Sequence, residues 1–286
     1  MMTDAVPAAL FSDDWLALRE PADHRARSAA IEQRLAAHLA DIDAQRIVDL
    51  GAGTGSNLRA LAPRLGMRQH WTLLDHDSTL ADAARARLKA FADRWREEGD
   101  SLVLALGARE VRVDFAIADL AADPAAPLAF APRLVTASAF YDLVSAAWCG
   151  RLARALGGCG IALHTALTCD GGDAWSPPHP DDAAIAAGFH AHQCTDKGFG
   201  PAAGPGATDA LAAALADAGF RVETARSPWR LGPDDRTLIA RLAEGTAGAA
   251  AESGQVDAAT AHAWAQARVE AASCIIGHRD LLALPR

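Results

Sequence analysis

At 286 residues, 51% of them hydrophobic and 22% charged, the chain is long enough to bury a full globular core and too apolar to remain disordered. Its 27 Lys and Arg face 36 Asp and Glu, and the resulting formal net charge of -9 repels phosphate backbones and weighs against nucleic acid as a partner. Cys149, Cys159, Cys169, Cys194 and Cys274 form no Cys-x-x-Cys pair, so neither a disulfide framework nor a cysteine zinc site is expected. The start, MMTDAVPAALFSDDW, has no basic region followed by an apolar run, and charges interrupt every later apolar stretch. A cytoplasmic protein without a membrane span is expected.

Residues 1–45 read as a helical lead-in, with Ile31, Leu35 and Leu39 spaced along one face. Upstream, Trp15, Arg19, Arg25 and Arg27 suit either a solvated surface arm or a lid over a ligand mouth, with an arginine near a carboxylate. Ile47, Val48 and Leu50 then make a short buried strand, broken by Gly51-Ala52-Gly53-Thr54-Gly55. Leu58, Leu61 and Leu65 mark a helix from about Ser56. Strand, glycine turn and helix make a ligand-binding arrangement, because glycine reaches backbone conformations closed to other residues and removes the Cβ where a ligand approaches. A dinucleotide fingerprint reads G-x-G-x-x-G. This chain instead has G-x-G-x-G, with Ser56 in place of the third fingerprint glycine and Asp49 two residues before the first.

The second strand, 70–74, ends in Asp75, whose carboxylate can accept both hydrogen bonds of a ribose diol or cap the next helix, a task Asp77 and Ser78 also suit. Leu80, Ala84, Leu88, Phe91 and Trp95 predict one helical face; residues 102–106 either finish that helix or add a strand. Strict alternation over 111–117 predicts a strand that ends just before Asp119, and 134–138 predicts another. Tyr141 and Asp142 follow at its exit, as core-edge tyrosine and helix cap or as substrate contacts. A fifth strand, 160–167, carries His164, expected to be packed. The long stretch 168–206 holds Trp175, Phe189, His190, His192, Gln193, Asp196, Lys197 and Phe199, and reads as a cap. His190 and His192 share a face only in extended backbone and lack a third ligand, so no metal is expected. A helix over 208–218, a strand over 220–226, helices around 234–244 and 256–271 and a last strand over 274–282 complete the chain. His278, Arg279 and Asp280 on that strand form an edge charge cluster or face an acceptor pocket.

The series DLGAGTG at 49–55, Asp75 and Asp119, in order and suitably spaced, resembles the class I S-adenosylmethionine (SAM)-dependent methyltransferases from about residue 44 to the C-terminus. Alternation of strands and helices gives the α/β class independently. The resemblance implies a doubly wound, Rossmann-like, seven-stranded sheet, mostly parallel, with an antiparallel last strand beside the sixth. It implies a helical N-terminal lid over 1–45 and a SAM-binding domain over 46–286, with cap segments at 168–206 and 233–272. Gly51, Gly53 and Gly55 would make room for the amino-acid part of SAM and Asp49 would orient it. Asp75 would hold the ribose and Asp119 the adenine amine. The implied reaction is in-line methyl transfer to a small-molecule acceptor, with Tyr141, Asp142 and His192 as candidates for positioning it or moving its proton. The alternatives are an NAD(P)-dependent oxidoreductase, against which Ser56 counts, and a SAM-binding regulatory module without catalysis.

Overall fold

Short β-branched and leucine-rich runs alternate with amphipathic segments, and most of the runs pair in one sheet. The computed structural model describes residues 12–286. Its first half runs α1 (Asp13–Ala26), α2 (Ala29–Leu39), β1 (Ala44–Leu50), α3 (Ser56–Leu61), β2 (Arg68–Asp75), α4 (Ser78–Phe91), β3 (Arg94–Glu98), β4 (Ser101–Leu106) and β5 (Arg109–Ile117). The second half runs β6 (Leu134–Ser138), α5 (Ala146–Leu156), β7 (Ala162–Cys169), β8 (Ala174–Ser176), α6 (Asp182–Gln193), α7 (Ala207–Asp217) and β9 (Phe220–Arg226). It ends with β10 (Trp229–Leu231), α8 (Arg236–Glu252), α9 (Ala258–Val269), β11 (Ser273–Ile276) and β12 (His278–Pro285).

The main sheet has the order β3-β4-β5-β2-β1-β6-β7-β12-β9. β1, β2, β5, β6 and β7 pair in parallel, and β12 lies antiparallel to both β7 and β9, as expected for the last strand. All the parallel strands therefore end at one edge, where a doubly wound sheet opens its crevice.

Nine strands replace the seven expected because a hairpin, β3–β4, extends the sheet beside β5. The apolar spacing that suggested one helix through Trp95 misleads here. α4 ends at Phe91, Ala92 is already extended at ψ 147°, and Gly99 turns the hairpin at φ 61°. Trp95 lies on an exposed strand, RWREE, under the ammonium of Lys89 at 4.4 Å from the ring centroid. A short charged strand is a fitting sheet edge, since its charges discourage pairing with another chain.

α2, α3 and α4 bury Leu35, Leu58, Leu61 and Leu88 on one face of the sheet around Trp71. α5 and α7 bury Trp148, Leu152, Leu156, Leu211 and Leu215 on the other. Each fully buried leucine contributes about 1.5–3 kcal/mol, so these two layers hold the sheet between them.

The expected last strand also divides. β11 joins β8 and β10 in a small antiparallel sheet, and β12 returns to the main one. Gly277 makes the crossing: a Cβ there would fall 2.0 Å from Asp170 Oδ1 and 2.6 Å from the Gly172 amide, so no larger residue fits. The stretch expected as a cap holds β8 and α6. α6 packs on α8 through Ile185, Ala247 and Ala250, and Arg268 of α9 donates to Asp182 at the start of α6. Asp182 Oδ1 also accepts from Trp264 Nε1 at 2.8 Å. No helix among the described residues is long and apolar enough to cross a membrane.

Candidate functional site

Three glycines with φ of 58°, 52° and 77°, at 51, 53 and 55, carry the chain from β1 to α3. Left-handed backbone at three alternate positions is why this turn is glycine-rich. The space left at each is not equivalent. A Cβ on Gly51 would meet the ring of Phe140 at 2.8 Å; one on Gly53 would touch Leu16 of α1 at 3.5 Å. Gly55 faces inward, toward Leu73, Leu88 and Arg59. Gly51 thus makes room first of all for a protein side chain.

Asp75 stands at the end of β2, and its carboxylate braces this turn. Oδ2 accepts from the Gly53 amide at 2.7 Å, while Oδ1 accepts from the amides of His76 at 2.8 Å and Asp77 at 3.1 Å. Capping of α4 falls to Asp77, which accepts from the Thr79 amide, so Asp75 is released from that task. Oδ2 keeps a lone pair for a further donor. The Ala118 amide donates to the Asp75 carbonyl at 3.0 Å, bringing the neighbouring strand end alongside. Asp119 follows there, exposed, with Oδ1 accepting from the amides of Ala121 and Ala122.

Asp49 lies beneath the turn, fully buried. Oδ1 accepts from Asn57 Nδ2 at 2.6 Å, and the same amide reaches Thr136 Oγ1 at 3.2 Å, itself 3.0 Å from His164 Nδ1. Oδ2 is sealed from solvent without a partner. Burial pushes the Asp49 carboxyl up to about 7, with the Asn57 bond opposing it. Burial also drives His164 well below its ordinary value, so it packs as a neutral ring. Asn57 and Thr136, which join Asp49 to His164, give no sequence signal beyond being polar.

At the exit of β6, Ala139 takes φ 51° before Phe140, and Leu167 takes φ 59° inside β7. Non-glycine residues in this region are strained, and strain of this kind concentrates at functional sites. Tyr141 is fully buried beside Phe140 and Trp148, at centroid distances of 5.5 and 6.3 Å, with its hydroxyl unpartnered. Burial raises it well above its ordinary range. The Asp142 Oδ1 atom is sealed and unpartnered too; burial pushes this carboxyl up to about 6, against the pull of Arg19 and the Cys169 amide. Helix capping falls to Ser145, which accepts from the Trp148 amide at 3.1 Å, so Asp142 is not the cap.

His278 is the register partner of Cys169 and thus joins this cluster. Its ring lies 5.0 Å from that of Trp229, its Nδ1 has no partner, and burial together with Arg19 pushes it down to about 3. Arg19 stacks over Trp229 at 5.1 Å and makes a bidentate pair with Asp23 at 2.9 and 3.1 Å. Arg19 and His278 enter the site from opposite ends of the chain. His192 is not brought into it: α6 sets His192 Nε2 3.1 Å from Glu252 of α8, while His190 packs against Gly171. A helix turns these two histidines to different sides, and among the described residues no group of three His, Cys, Asp or Glu is placed to hold a metal ion.

α1 lies across both halves of the crevice. On the glycine-turn side, Leu16 covers Gly53, His24 Nε2 lies 3.1 Å from Ser56 Oγ, and Glu20 pairs with Arg59 through two bonds of 2.6 Å. Arg59 Nη1 in turn donates to the Thr54 carbonyl at 2.7 Å, tying helix and turn together. On the other side, Ala22 and Leu18 pack with Trp229, Leu167 and Ile276.

No family model matches the chain, and no curated protein matches it. Among solved structures, a cyclopropane-fatty-acyl-phospholipid synthase-like protein from Lactobacillus casei is 15% identical, with a TM-score of 0.51 covering 93% of this chain and 99% of that one. A SAM-dependent methyltransferase from Geobacter sulfurreducens, solved with S-adenosyl-L-homocysteine, is 18% identical, with a TM-score of 0.44 covering 97% and 100%. The likeness to the Lactobacillus protein is one of fold: mixed α/β, with a mostly parallel, Rossmann-like central sheet and helical flanks.

Proposed function

We propose that this chain is a class I SAM-dependent methyltransferase acting on a small molecule. The observation that carries the reading is the Asp75 carboxylate at the end of β2, bonded to the amide of Gly53 in the positive-φ glycine turn. That bond fixes an acceptor for a ribose diol beside the glycine turn, whose backbone carries the amino-acid tail in this reading. Asp119, whose Oδ1 is engaged by two amides, offers Oδ2 to an adenine amine from the adjacent strand end. The sealed, unpartnered Oδ2 of Asp49 suits a cationic neighbour above it. When bound, SAM supplies an activated methyl on a sulfonium, so the protein's task is to position and desolvate the acceptor.

Tyr141, Asp142 and His278, with Arg19 above them, form the acceptor side in this reading. Asp142 takes the acceptor's proton: a carboxyl raised toward neutrality is a better base at working pH than an ordinary one. His192, engaged by Glu252, has no part in this scheme. α1, within the N-terminal 1–45 segment, acts as the lid, and the 46–286 unit carries both sites, with its cap built from 168–206 and 233–272. The segment 1–11 of that lid lies outside the described residues. A cytoplasmic location fits five cysteines that are all free.

Titration calorimetry is expected to detect uptake of SAM and of S-adenosylhomocysteine, and none of NADH or NADPH. Uptake of the nicotinamides alone makes the chain an oxidoreductase. SAM uptake without methyl transfer to any small-molecule fraction of a cell extract makes it a binding module. Proton linkage gives a sharper check. With its carboxyl raised to about 7, Asp49 is largely protonated near pH 6, and a cation beside it draws that proton off. SAM affinity should therefore rise with pH through about 7 and level off above, with proton release measured across buffers of different ionisation enthalpy. The release should vanish in Asp49→Asn; its persistence there removes Asp49 from the cofactor site.

A further inference from the structure

A groove of about 730 Å³ lies beside α1. Arg25, Arg226 and Arg230 line it, over an apolar floor that includes Ala22, Leu231 and Ile275. We infer that this groove binds a phosphate-class oxyanion carried by the methyl acceptor, an inference that rests on the methyltransferase reading for what the anion belongs to.

The charge pattern carries it. Arg25 Nη2 donates to Asp235 at 2.6 Å, an ion pair that compensates its charge and engages one of its five N–H groups, leaving the others as donors. Arg226 and Arg230 make no ion pair and no side-chain hydrogen bond with any described residue, yet both line the same concavity. In a chain with a net charge of -9, two arginines without an ion pair on one groove are a local excess of positive charge that an anion offsets. Guanidinium groups from three separate segments, α1, the end of β9 and β10, can each take an oxygen of a terminal phosphate, which a lone carboxylate cannot match. The volume suits a small organic molecule.

The position fits an acceptor. Arg226 is the last residue of β9, so it stands at the same carboxyl edge of the sheet as Cys169 and the Asp142 cluster. Arg25 is six residues along α1 from Arg19, about 9 Å at 1.5 Å per residue. Arg19, whose charge acts on the Asp142 carboxyl, thus lies within two helical turns of the groove's Arg25.

Phenyl phosphate, inorganic phosphate and benzoate, titrated separately into the full chain, test this. Phenyl phosphate is expected to bind more tightly than inorganic phosphate, since the ring covers the apolar floor, and benzoate at least tenfold more weakly than phenyl phosphate. The double variant Arg226→Gln/Arg230→Gln should lose at least tenfold in phenyl phosphate affinity while taking up SAM as the wild type does. Arg230→Glu alone should do the same, and both exchange exposed side chains, so the fold is kept. Equal phenyl phosphate affinity in wild type and double variant, or benzoate binding as tight as phenyl phosphate, overturns the groove assignment. SAM uptake, measured on the same samples, reports on the methyltransferase reading alone, so either can fail while the other holds.

Discussion

Asp75→Ala is expected to weaken binding of SAM by about ten- to hundredfold. With Oδ1 taken up by two amides, a ribose hydroxyl donates one charge-assisted hydrogen bond to the lone pair left on Oδ2, worth about 1.5–3 kcal/mol, and its loss gives that ratio. The substitution also releases the amides of Gly53, His76 and Asp77, so the turn loses the brace that keeps it poised. Asp75→Asn separates the two effects. Its carbonyl oxygen can still receive the Gly53 amide, but it brings no charge and one acceptor fewer to the diol, so an intermediate loss is expected. The same order should hold for S-adenosylhomocysteine, which shares the ribose but lacks the sulfonium. Full affinity in Asp75→Ala removes the ribose assignment and leaves the fold untouched.

The site is legible in the sequence where one local rule decides it. Three glycines on alternate positions after a β-branched run announce a left-handed turn, and a carboxylate closing the next strand must then stand beside it; both follow from short stretches of chain. Where two elements far apart in sequence meet, nothing local announces the contact. Arg19 and His278 reach one spot from opposite ends of the chain, and His278 looks like an edge-strand residue until β12 is placed between β7 and β9. β8 and β10 have three residues each and β11 has four, too few for a period-two pattern to be read. Trp95 fails for a different reason: its spacing from Phe91 continues a helical stripe that ends one turn earlier, and the hairpin turn at Gly99 competes with it. His192 fails because a helix, absent from the loop reading of 168–206, commits it to α8.

Asp280 brings the same non-local lesson to a stability prediction. A charge cluster on an edge strand would be solvated and replaceable, but this carboxylate is fully buried. Oδ2 accepts from the Ser28 amide at 2.7 Å, and Oδ1 accepts from the Leu167 amide at 2.9 Å and from Ser227 Oγ at 2.5 Å. One side chain thus fastens the start of α2, the strained bend of β7 and the chain leaving β9. Asp280→Ala leaves two buried donors and the half-buried Ser28 amide unpaired, at about 1–3 kcal/mol for each buried one and less for the third, against a total stability of about 5–15 kcal/mol for a domain. The expected result is a loss of about 3–6 kcal/mol in urea unfolding, with a poor yield of folded protein at the upper end. Asp280→Asn should lose less: its oxygen can keep the Leu167 and Ser227 donors, while its amide group meets the Ser28 N–H donor to donor. Arg279→Ala is the control on the neighbouring residue. Its ion pair with Asp209 is largely exposed, so a change under about 1 kcal/mol is expected. Equal effects of Asp280→Ala and Arg279→Ala would make the three-donor hub no more than a surface charge, and the bend at Leu167 would then need another explanation.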